Sequence, residues 1–256
     1  MESSRIWDYQ LSADIRPAVP EILYFDQVDS TNRAAEQWED APDFALVVAD
    51  HQTAGRGRLT RTWYDEPGRS LLFSLVLRPQ VPPAQFGMIG LAGGLCMAQA
   101  IEEVSAGGLR PALKWPNDIR VGGRKAGGIL ASSREQGEGF RVVMGIGVNV
   151  TTQDFPAEFA GEATSLAAEG VSTTRENLLE AFLQRFHDVW TVFPGSVPRA
   201  YADFCDTIGR RVSVALGNEI IEGTATGIDE LGRLVMDGKR PISSGEVVKI
   251  RENEGR

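Results

Sequence analysis

The 256-residue chain is poor in the residues and segments that metal centres, disulfide frameworks and membrane spans require. Two cysteines, Cys96 and Cys205, and two histidines provide neither a disulfide framework nor a metal-ligand spacing. No apolar run reaches the roughly 18 residues of a membrane-spanning helix, and the first 20 residues lack the apolar core of a secretory signal. We therefore expect a cytoplasmic, reduced protein with no metal site and no membrane partner.

The sequence also lacks the common nucleotide-binding and nucleophile motifs. It contains no Gly-x-x-x-x-Gly-Lys-[Ser/Thr] segment, which excludes a P-loop, and no Gly-x-Gly-x-x-Gly after an early strand, which leaves a dinucleotide fold unsupported. A Gly-x-Ser-x-Gly elbow is absent as well. The net charge of −9 argues against attraction of the whole surface to nucleic acid or anionic lipid.

Glycine is abundant, whereas the rest of the composition is ordinary. Hydrophobic residues at 42% and charged residues at 24% are typical of a soluble globular chain. The 28 glycines are about 11% of the chain, against roughly 7% on average. They cluster beside charged and β-branched residues, as in tight turns that approach a ligand.

Apolar periodicity and turn residues predict a mixed α and β chain in two domains. Helices are predicted just after Ser30 and over 83–104, 174–193 and 198–206. Strands are predicted over 22–25, 44–49, 70–77, 113–121, 127–133 and 140–150, and four short ones over 211–216, 219–228, 233–236 and 246–251. A change in pattern near Gly209 divides the chain into domains of residues 1–208 and 209–256. Residues 1–20 are interpreted as a polar arm.

The stretch from Asp50 to Arg69 has no periodicity and is longer than an ordinary connection, which is typical of a functional loop. From Gln52 onward it holds four arginines against two acidic residues, a charge of +2 in a chain of −9. Glycines between the arginines let the backbone pass close to a ligand, and guanidinium groups bind phosphate through parallel hydrogen bonds. The alternative is a solvated basic loop without a ligand.

Three further segments carry polar groups at the ends of predicted strands. They are Lys114-Trp-Pro-Asn-Asp118, Lys125-Ala-Gly-Gly128 and Gly145-Ile-Gly-Val-Asn149. Alone, each has an ordinary structural explanation: a capped turn, an exposed hairpin lysine and a bulge in a strand. The sequence of any one segment therefore leaves its function open.

The order and spacing of these motifs resemble biotin protein ligase. The series begins with Asp29-Ser-Thr-Asn32, continues through Gln52-Thr-Ala-Gly-Arg-Gly-Arg58 and Trp63, and ends at Asn149, nearly half the chain. Segments near Gly227, Gly232 and Ser243 are more loosely similar to the small carboxy-terminal domain of that family. The resemblance implies an α+β fold, in which a central mixed β-sheet flanked by helices is followed by a small SH3-like β-barrel.

The resemblance also implies a reaction and its participants. ATP and biotin would give biotinyl-5′-AMP, which a lysine of a biotin carboxyl carrier protein or biotinyl domain then attacks. Magnesium would accompany ATP, and the enzyme would act as a monomer or homodimer without binding nucleic acid. Because few residues precede Asp29, we expect a dedicated ligase without an amino-terminal DNA-binding domain.

The family pattern assigns roles to residues of this chain. The expected biotin site consists of Ser30, Thr31, Asn32, Gln52, Gly55, Arg56, Arg58, Lys125, Gly128 and Gly145. The expected ATP and adenylate site consists of Arg58, Arg61, Trp63, Lys125 and Asn149. Lys125 and Arg58 would stabilise developing charge, and Asp118 would serve as base or orienting group for the incoming lysine.

Three alternatives and one departure accompany this interpretation. A lipoate or octanoate ligase shares the superfamily fold, and a non-catalytic biotin sensor that regulates transcription would keep the binding site. An inactive relative is less compatible with intact Arg58 and Lys125. The departure is Ala126, where members of the family usually carry a larger aliphatic residue, and its small size would loosen the packing behind Lys125.

Overall fold

The computed structural model describes residues 11–251, which form a seven-stranded mixed sheet with helices on both faces and a second sheet of five antiparallel strands. The first sheet contains β1 (Ile22–Phe25), β2 (Ala45–Ala49), β3 (Ser70–Leu77), β4 (Ala112–Lys114), β5 (Asp118–Val121), β6 (Arg124–Gln136) and β7 (Gly139–Asn149). Their order is β1-β2-β3-β7-β6-β5-β4, with β1 parallel to β2 and the other neighbours antiparallel. The predicted fold class is confirmed.

Side-chain alternation along β3 gives the sheet two different faces. Leu71, Phe73, Leu75 and Leu77 point into the main core, whereas Ser70 and Ser74 lie on the opposite face and are also fully buried. Strand β7 follows the same alternation, because Met144, Ile146 and Val148 enter the main core while Gly145 and Gly147 share the face of the two serines. The polar face of β3 and β7 is where a ligand can meet the sheet.

Four α-helices of the described residues cover the sheet. They are α1 (Thr31–Gln37), α2 (Gly87–Val104), α3 (Arg175–Thr191) and α4 (Val197–Phe204). Helix α3 was predicted from its apolar stripe, and the structure confirms it: Phe182 packs on Phe73 with ring centroids 5.1 Å apart, and Thr174 caps the first turn through Asn177 N. The helical stretch Pro83–Val104 is long and apolar enough to cross a membrane, but 67% of its most apolar window is buried in the molecule.

The second sheet comprises β8 (Arg211–Leu216), β9 (Glu219–Ile228), β10 (Leu234–Met236), β11 (Arg240–Ile242) and β12 (Glu246–Arg251), in the order β11-β10-β9-β8-β12. It has the five-stranded form expected of a small SH3-like domain. Four of these strands were predicted, but β11 was not. The indole Nε1 of Trp115 donates to the carbonyl of Gly232 at 3.1 Å, which joins this domain to the first sheet. The division at residues 208 and 209 stays a prediction.

The structure corrects two sequence-based predictions. The segment 113–121 is not one strand, because residues 115–117 turn between β4 and β5, which pair as a hairpin. The interpretation of residues 1–20 as a polar arm is wrong for 11–20, since Leu11, Ile15 and Val19 are buried in the main core. Residues 1–10 lie outside the described residues.

Candidate active site

A cavity of about 230 Å³ opens on the polar face of the first sheet. Its floor is formed by β6 and β7, one wall by α1 and the loop between β2 and β3, and another wall by the turn between β4 and β5. The edge of the second sheet completes the mouth through Glu246 and Val247. The segments that were separate motifs in the sequence therefore meet at one place.

Strand register aligns the small residues of the floor. Gly145 pairs with Ser74 on one side and with Leu130 on the other, and Gly147 pairs with Gly128 in the next row. Directly opposed residues of neighbouring strands project on the same face of a sheet. The floor is consequently shallow, and larger side chains from α1 and the loop can lie across it.

A hydrogen-bonded network of α1, Gln52 and Ser74 forms the polar end of the cavity. The amide oxygen of Gln52 accepts from the backbone N–H of Thr31 at 2.8 Å. The hydroxyl of Ser74 lies 2.9 Å from that of Thr31 and 2.7 Å from Oδ1 of Asn32, whose Nδ2 donates to the carbonyl of Leu130 at 3.0 Å. This fixed set of donors and acceptors suits a small polar ring.

The indole of Trp63 lies against the glycines of β6 and β7. A side chain at Gly147 would place its Cβ 2.8 Å from the indole, and one at Gly128 would lie 3.5 Å from Cζ3. The indole Nε1 is buried and has no hydrogen-bond partner among the described residues. The Nζ of Lys125 is 6.0 Å from the ring centroid, at the outer limit of a cation–π contact.

Lys125 and Asp118 form an ion pair inside the cavity. Lys125 Nζ lies 2.6 Å from Asp118 Oδ1, and the two side chains are 39% and 21% exposed. Both residues stand on neighbouring strands, β6 and β5, and the backbone N–H of Lys125 also donates to the carbonyl of Glu162 at 2.8 Å. The sheet and the segment after β7 thus hold the ammonium group at a defined position.

Arg58 and Arg61 connect the loop to the second sheet. Arg58 donates to Oδ1 of Asn117 at 3.2 Å and to the carbonyl of Gly245 at 3.0 Å, and burial lowers the pKa of its guanidinium. Arg61 makes a two-bond pair with Glu246, with distances of 2.5 and 2.9 Å. Arg58 is thus bonded to an amide and a carbonyl, and Arg61 to a carboxylate at the mouth of the cavity. A phosphate that enters the cavity can compete with these groups for both arginines.

The cavity is electropositive relative to the chain as a whole. Its lining contains five basic side chains, Arg56, Arg58, Arg61, Lys114 and Lys125, against three acidic ones, Asp118, Glu162 and Glu246. In residues 11–251 there is no group of three or more His, Cys, Asp and Glu side chains that could hold a metal ion. The lining as found is suited to an anionic ligand.

The structure brings almost all of the residues selected from the sequence to this cavity. Those that line it are Ser30, Thr31, Asn32, Gln52, Arg56, Arg58, Arg61, Trp63, Asp118, Lys125, Gly128, Gly145 and Asn149. Gly55 is the exception. A Cβ at Gly55 would lie 2.8 Å from the carbonyl of Trp63, so this glycine allows the two arms of the loop to approach each other. The amide of Asn149 bonds to Ser70 and to the carbonyl of Thr164.

Sequence reasoning missed several residues that shape the site. Ser74 had a signal that could have been used, because a serine in the middle of an eight-residue buried strand requires a hydrogen-bond partner. Glu246 had none, since its contact with Arg61 depends on how the second sheet packs. Phe155 and Phe159, in the irregular segment after β7, also line the mouth.

Comparisons with known proteins agree with this arrangement. The model of the biotin/lipoate A/B protein ligase family matches residues 24–149, and that of the biotin protein ligase C-terminal domain matches residues 207–249. The biotin–[acetyl-CoA-carboxylase] ligase of Mycobacterium tuberculosis is 37% identical over 82% of this chain and 80% of its own length. The bifunctional ligase/repressor BirA of Bacillus subtilis is 35% identical over 88% of this chain and 73% of its own length. The structure of a biotin protein ligase from Aquifex aeolicus in complex with biotin and ATP matches with a TM-score of 0.77 and 29% identity, covering 91% of this chain and 100% of that chain.

Proposed function

The chain belongs to the biotin/lipoate A/B protein ligase family and, within it, to the biotin protein ligases, and we propose that it activates biotin with ATP and transfers it to a carrier lysine. The intermediate is biotinyl-5′-AMP, and the acceptor is a lysine of a biotinyl domain of the kind found in acetyl-CoA carboxylase. The observation that carries this proposal is the placement of Lys125 and Arg58 beside the polar network of Thr31, Asn32 and Gln52 in one cavity.

The two ends of biotin match the two ends of this cavity. The ureido ring presents both N–H donors and a carbonyl acceptor, and the network of α1, Gln52 and Ser74 offers groups of both kinds. The carboxylate of the side chain would then lie toward Lys125. A lysine ammonium is a compact charge with several donors, so it can contact a carboxylate and a phosphate at the same time.

Adenylation joins two anions, and its barrier is therefore largely electrostatic. A carboxylate oxygen of biotin attacks the α-phosphorus of ATP, the new acyl–phosphate bond forms, and pyrophosphate leaves. Lys125 and Arg58 would neutralise charge on the reacting phosphate, while the fixed network holds the attacking group in line. Arg61 would contact the departing phosphates once they displace Glu246.

Transfer to the carrier consumes the mixed anhydride. The uncharged ε-amine of the carrier lysine attacks the acyl carbon, an amide bond forms, and AMP leaves with the electrons of the broken acyl–oxygen bond. The amine loses a proton, and Asp118 is the carboxylate best placed to accept it or to orient the nucleophile, because it is partly exposed beside Lys125. Trp63 would cover the adenylate and exclude water from it.

Magnesium would enter with ATP, whose phosphate oxygens are the ligands that this ion prefers. The described residues offer no separate cage for it, since Asp118 and Glu246 are paired with Lys125 and Arg61. The bound ion would neutralise phosphate charge. The chain's own contribution is to position the phosphates through its basic side chains.

The proposal is tested by exchange of labelled pyrophosphate into ATP, with biotin, lipoate and octanoate supplied separately. Biotin alone should support exchange, because the polar network matches a ureido ring and not an aliphatic chain. Exchange with lipoate or octanoate would instead show a lipoate-type ligase, and binding of biotin without exchange would show a sensor.

A second assay tests transfer and the nature of the partner. Incubation with biotin, ATP and the biotinyl domain of an acetyl-CoA carboxylase should add one biotin to that domain, measured by intact-mass spectrometry. The same domain with its acceptor lysine replaced by arginine is the matched control and should stay unmodified. Exchange without transfer would restrict the conclusion to adenylate formation.

A further inference from the structure

His51 and Asp65 meet at the base of the functional loop. Residues 52–64 carry Arg56, Arg58, Arg61 and Trp63, and His51 and Asp65 flank this segment on its two sides. His51 Nδ1 lies 2.8 Å from Asp65 Oδ2; the Asp65 side chain is fully buried and that of His51 is 27% exposed. A contact between the two ends of a loop reduces the freedom of everything between them.

The same carboxylate is linked to the polar network of the cavity. Asp65 Oδ2 also accepts from the backbone N–H of Gln52 at 3.4 Å, and the side chain of Gln52 bonds to Thr31. A displacement of Asp65 would therefore move Gln52, whose amide is one of the groups proposed to bind biotin. Inside the loop, the N–H of Gly57 donates to the carbonyl of Arg61 and that of Trp63 to the carbonyl of Gly55, at 2.7 and 2.9 Å.

Stability does not account for this arrangement. Asp65 Oδ1 is buried and has no hydrogen-bond partner among the described residues. Leaving one oxygen of a buried carboxyl unpaired is unfavourable, and desolvation raises the pKa of Asp65 in spite of the bond from His51. His51 is the titratable side chain that bonds to the Asp65 carboxylate, and Tyr64 immediately precedes Asp65 in the chain. The buried carboxyl of Asp65 lowers the stability of the folded protein and lies at the edge of a binding site. We therefore explain it by its effect on the position of the loop and not by a contribution to folding.

We propose that His51 and Asp65 form a clasp, the contact between their side chains, that holds residues 52–64 in the geometry that binds biotin. Gln52 is the first residue of that segment. They are positioning residues, since neither side chain lines the cavity. This inference rests on the function proposed above for the cavity. When the clasp is open, a smaller fraction of the protein molecules has the loop in the geometry that binds biotin. The apparent affinity for biotin then falls in proportion to that fraction. Saturating biotin restores the closed loop, so kcat changes little.

The experiment compares His51→Leu and Asp65→Leu, which remove the contact, with His51→Asn, whose amide nitrogen can replace Nδ1. Hydrogen exchange of the Gly57 and Trp63 amides in the ligand-free protein should accelerate about tenfold in both leucine variants and change little in His51→Asn. In pyrophosphate exchange, the KM for biotin should rise about tenfold while kcat stays within about threefold. His187→Leu, at the second histidine, on α3, is the matched control and should leave both measurements unchanged.

The outcomes separate this inference from the proposed function. Wild-type protein without biotin-dependent exchange would overturn the proposed function, and the amide measurements would still decide whether the clasp exists. Unchanged amide exchange in both leucine variants would overturn the clasp. Faster amide exchange with an unchanged KM for biotin would overturn the positioning role. Should Asp65→Leu fail to fold, the comparison of His51→Leu with His51→Asn decides the same questions.

Discussion

The amide of Asn32 occupies the space that a side chain at position 145 would need. A Cβ built on Gly145 would lie 1.7 Å from Asn32 Oδ1 and 2.7 Å from its Cγ. Asn32 cannot easily move aside, because it is buried and bonded to both Ser74 and the carbonyl of Leu130. Glycine at 145 is therefore required by the neighbouring helix, in addition to any requirement of a ligand.

Gly145→Ala should expel the Asn32 amide and disrupt the polar end of the cavity. We expect the free energy of unfolding to fall by about 1–3 kcal/mol, the usual cost of breaking buried hydrogen bonds, and the KM for biotin to rise at least tenfold. Chemical denaturation and pyrophosphate exchange measure the two effects.

A double-mutant cycle with Asn32→Ala identifies the cause. Once the amide is absent, adding Gly145→Ala should change the free energy of unfolding by less than about 0.5 kcal/mol, because the clash no longer exists. If the two substitutions are instead additive, the contact between Asn32 and Gly145 is not the reason for the glycine.

Lys125→Ala should abolish adenylation without unfolding the protein. Its pair with Asp118 is partly exposed, and such pairs contribute at most about 1 kcal/mol to folding. Loss of a preorganised charge at the reacting phosphate typically lowers turnover about 10²–10³-fold. Lys125→Arg should restore activity only in part, since a planar guanidinium does not replace a compact ammonium in a confined site.

Pyrophosphate exchange and thermal unfolding should be measured together for these variants. Lys239→Ala, at an exposed lysine in the second sheet's β10–β11 turn, is the control for removing a positive charge. A folded Lys125→Ala protein with exchange within threefold of wild type would contradict the proposed role of Lys125.

Glu246→Gln should tighten ATP binding. Glu246 holds Arg61 at the mouth and adds a negative charge to a cavity proposed to receive a polyanion. Its removal frees the guanidinium and lowers repulsion, and about 1 kcal/mol for one charge pair corresponds to a roughly fivefold lower KM for ATP. The KM for biotin should not change, and the effect should shrink as salt is added.

A second carboxylate on the same sheet provides the control for Glu246. Glu219 pairs with Arg240 at the surface, away from the cavity lining. Glu219→Gln should leave the KM for ATP as in wild type. An unchanged or higher KM for ATP in Glu246→Gln would show that this residue supports phosphate binding instead of competing with it.

The sequence predicted a helix or strand correctly wherever the apolar pattern within that element was sufficient to identify it. The apolar stripe of α3 and the eight apolar or small residues of β3 gave the observed bounds within two residues. The hairpin of β4 and β5 was missed because apolar residues alternate on both sides of the turn at residues 115–117, as they would along one strand, although Pro116 and Asn117 lie in that turn. Strand β11 was missed because it has three residues, two of them Arg240 and Pro241, and gains its identity by pairing with β10.

The residues of the site could be predicted from the sequence where they belong to contiguous motifs. Each motif supplies a segment of the cavity, and strand register then brings the segments together. Contacts between distant segments had no sequence signal. Glu246 reaches Arg61 across 185 positions, and nothing in an irregular loop marks Asp65 as a fully buried carboxyl. These contacts depend on tertiary packing, which composition and periodicity do not encode.

The buried carboxyl of Asp65 should make the stability of the wild-type protein depend on pH in a definite direction. Desolvation raises its pKa in the folded state above the ordinary aspartate value of about 3.9. Above the raised pKa the folded protein carries a buried charge that the unfolded chain exposes to water, which lowers stability. As pH falls through this pKa toward the ordinary value, the folded state binds the proton more tightly and that penalty disappears.

Asp65→Asn removes the titration and nearly preserves the shape of the side chain. The stability of the variant relative to wild type should therefore be greatest well above the raised pKa and should decrease as pH is lowered through it toward the ordinary aspartate value, measured by chemical denaturation at each pH. Any cost of the amide itself is the same at every pH, so the slope of the difference is the informative quantity. Asp188→Asn, at a side chain that is 80% exposed, controls for replacing an aspartate. A difference that grows as pH falls would mean that His51 stabilises the Asp65 carboxylate more than burial destabilises it.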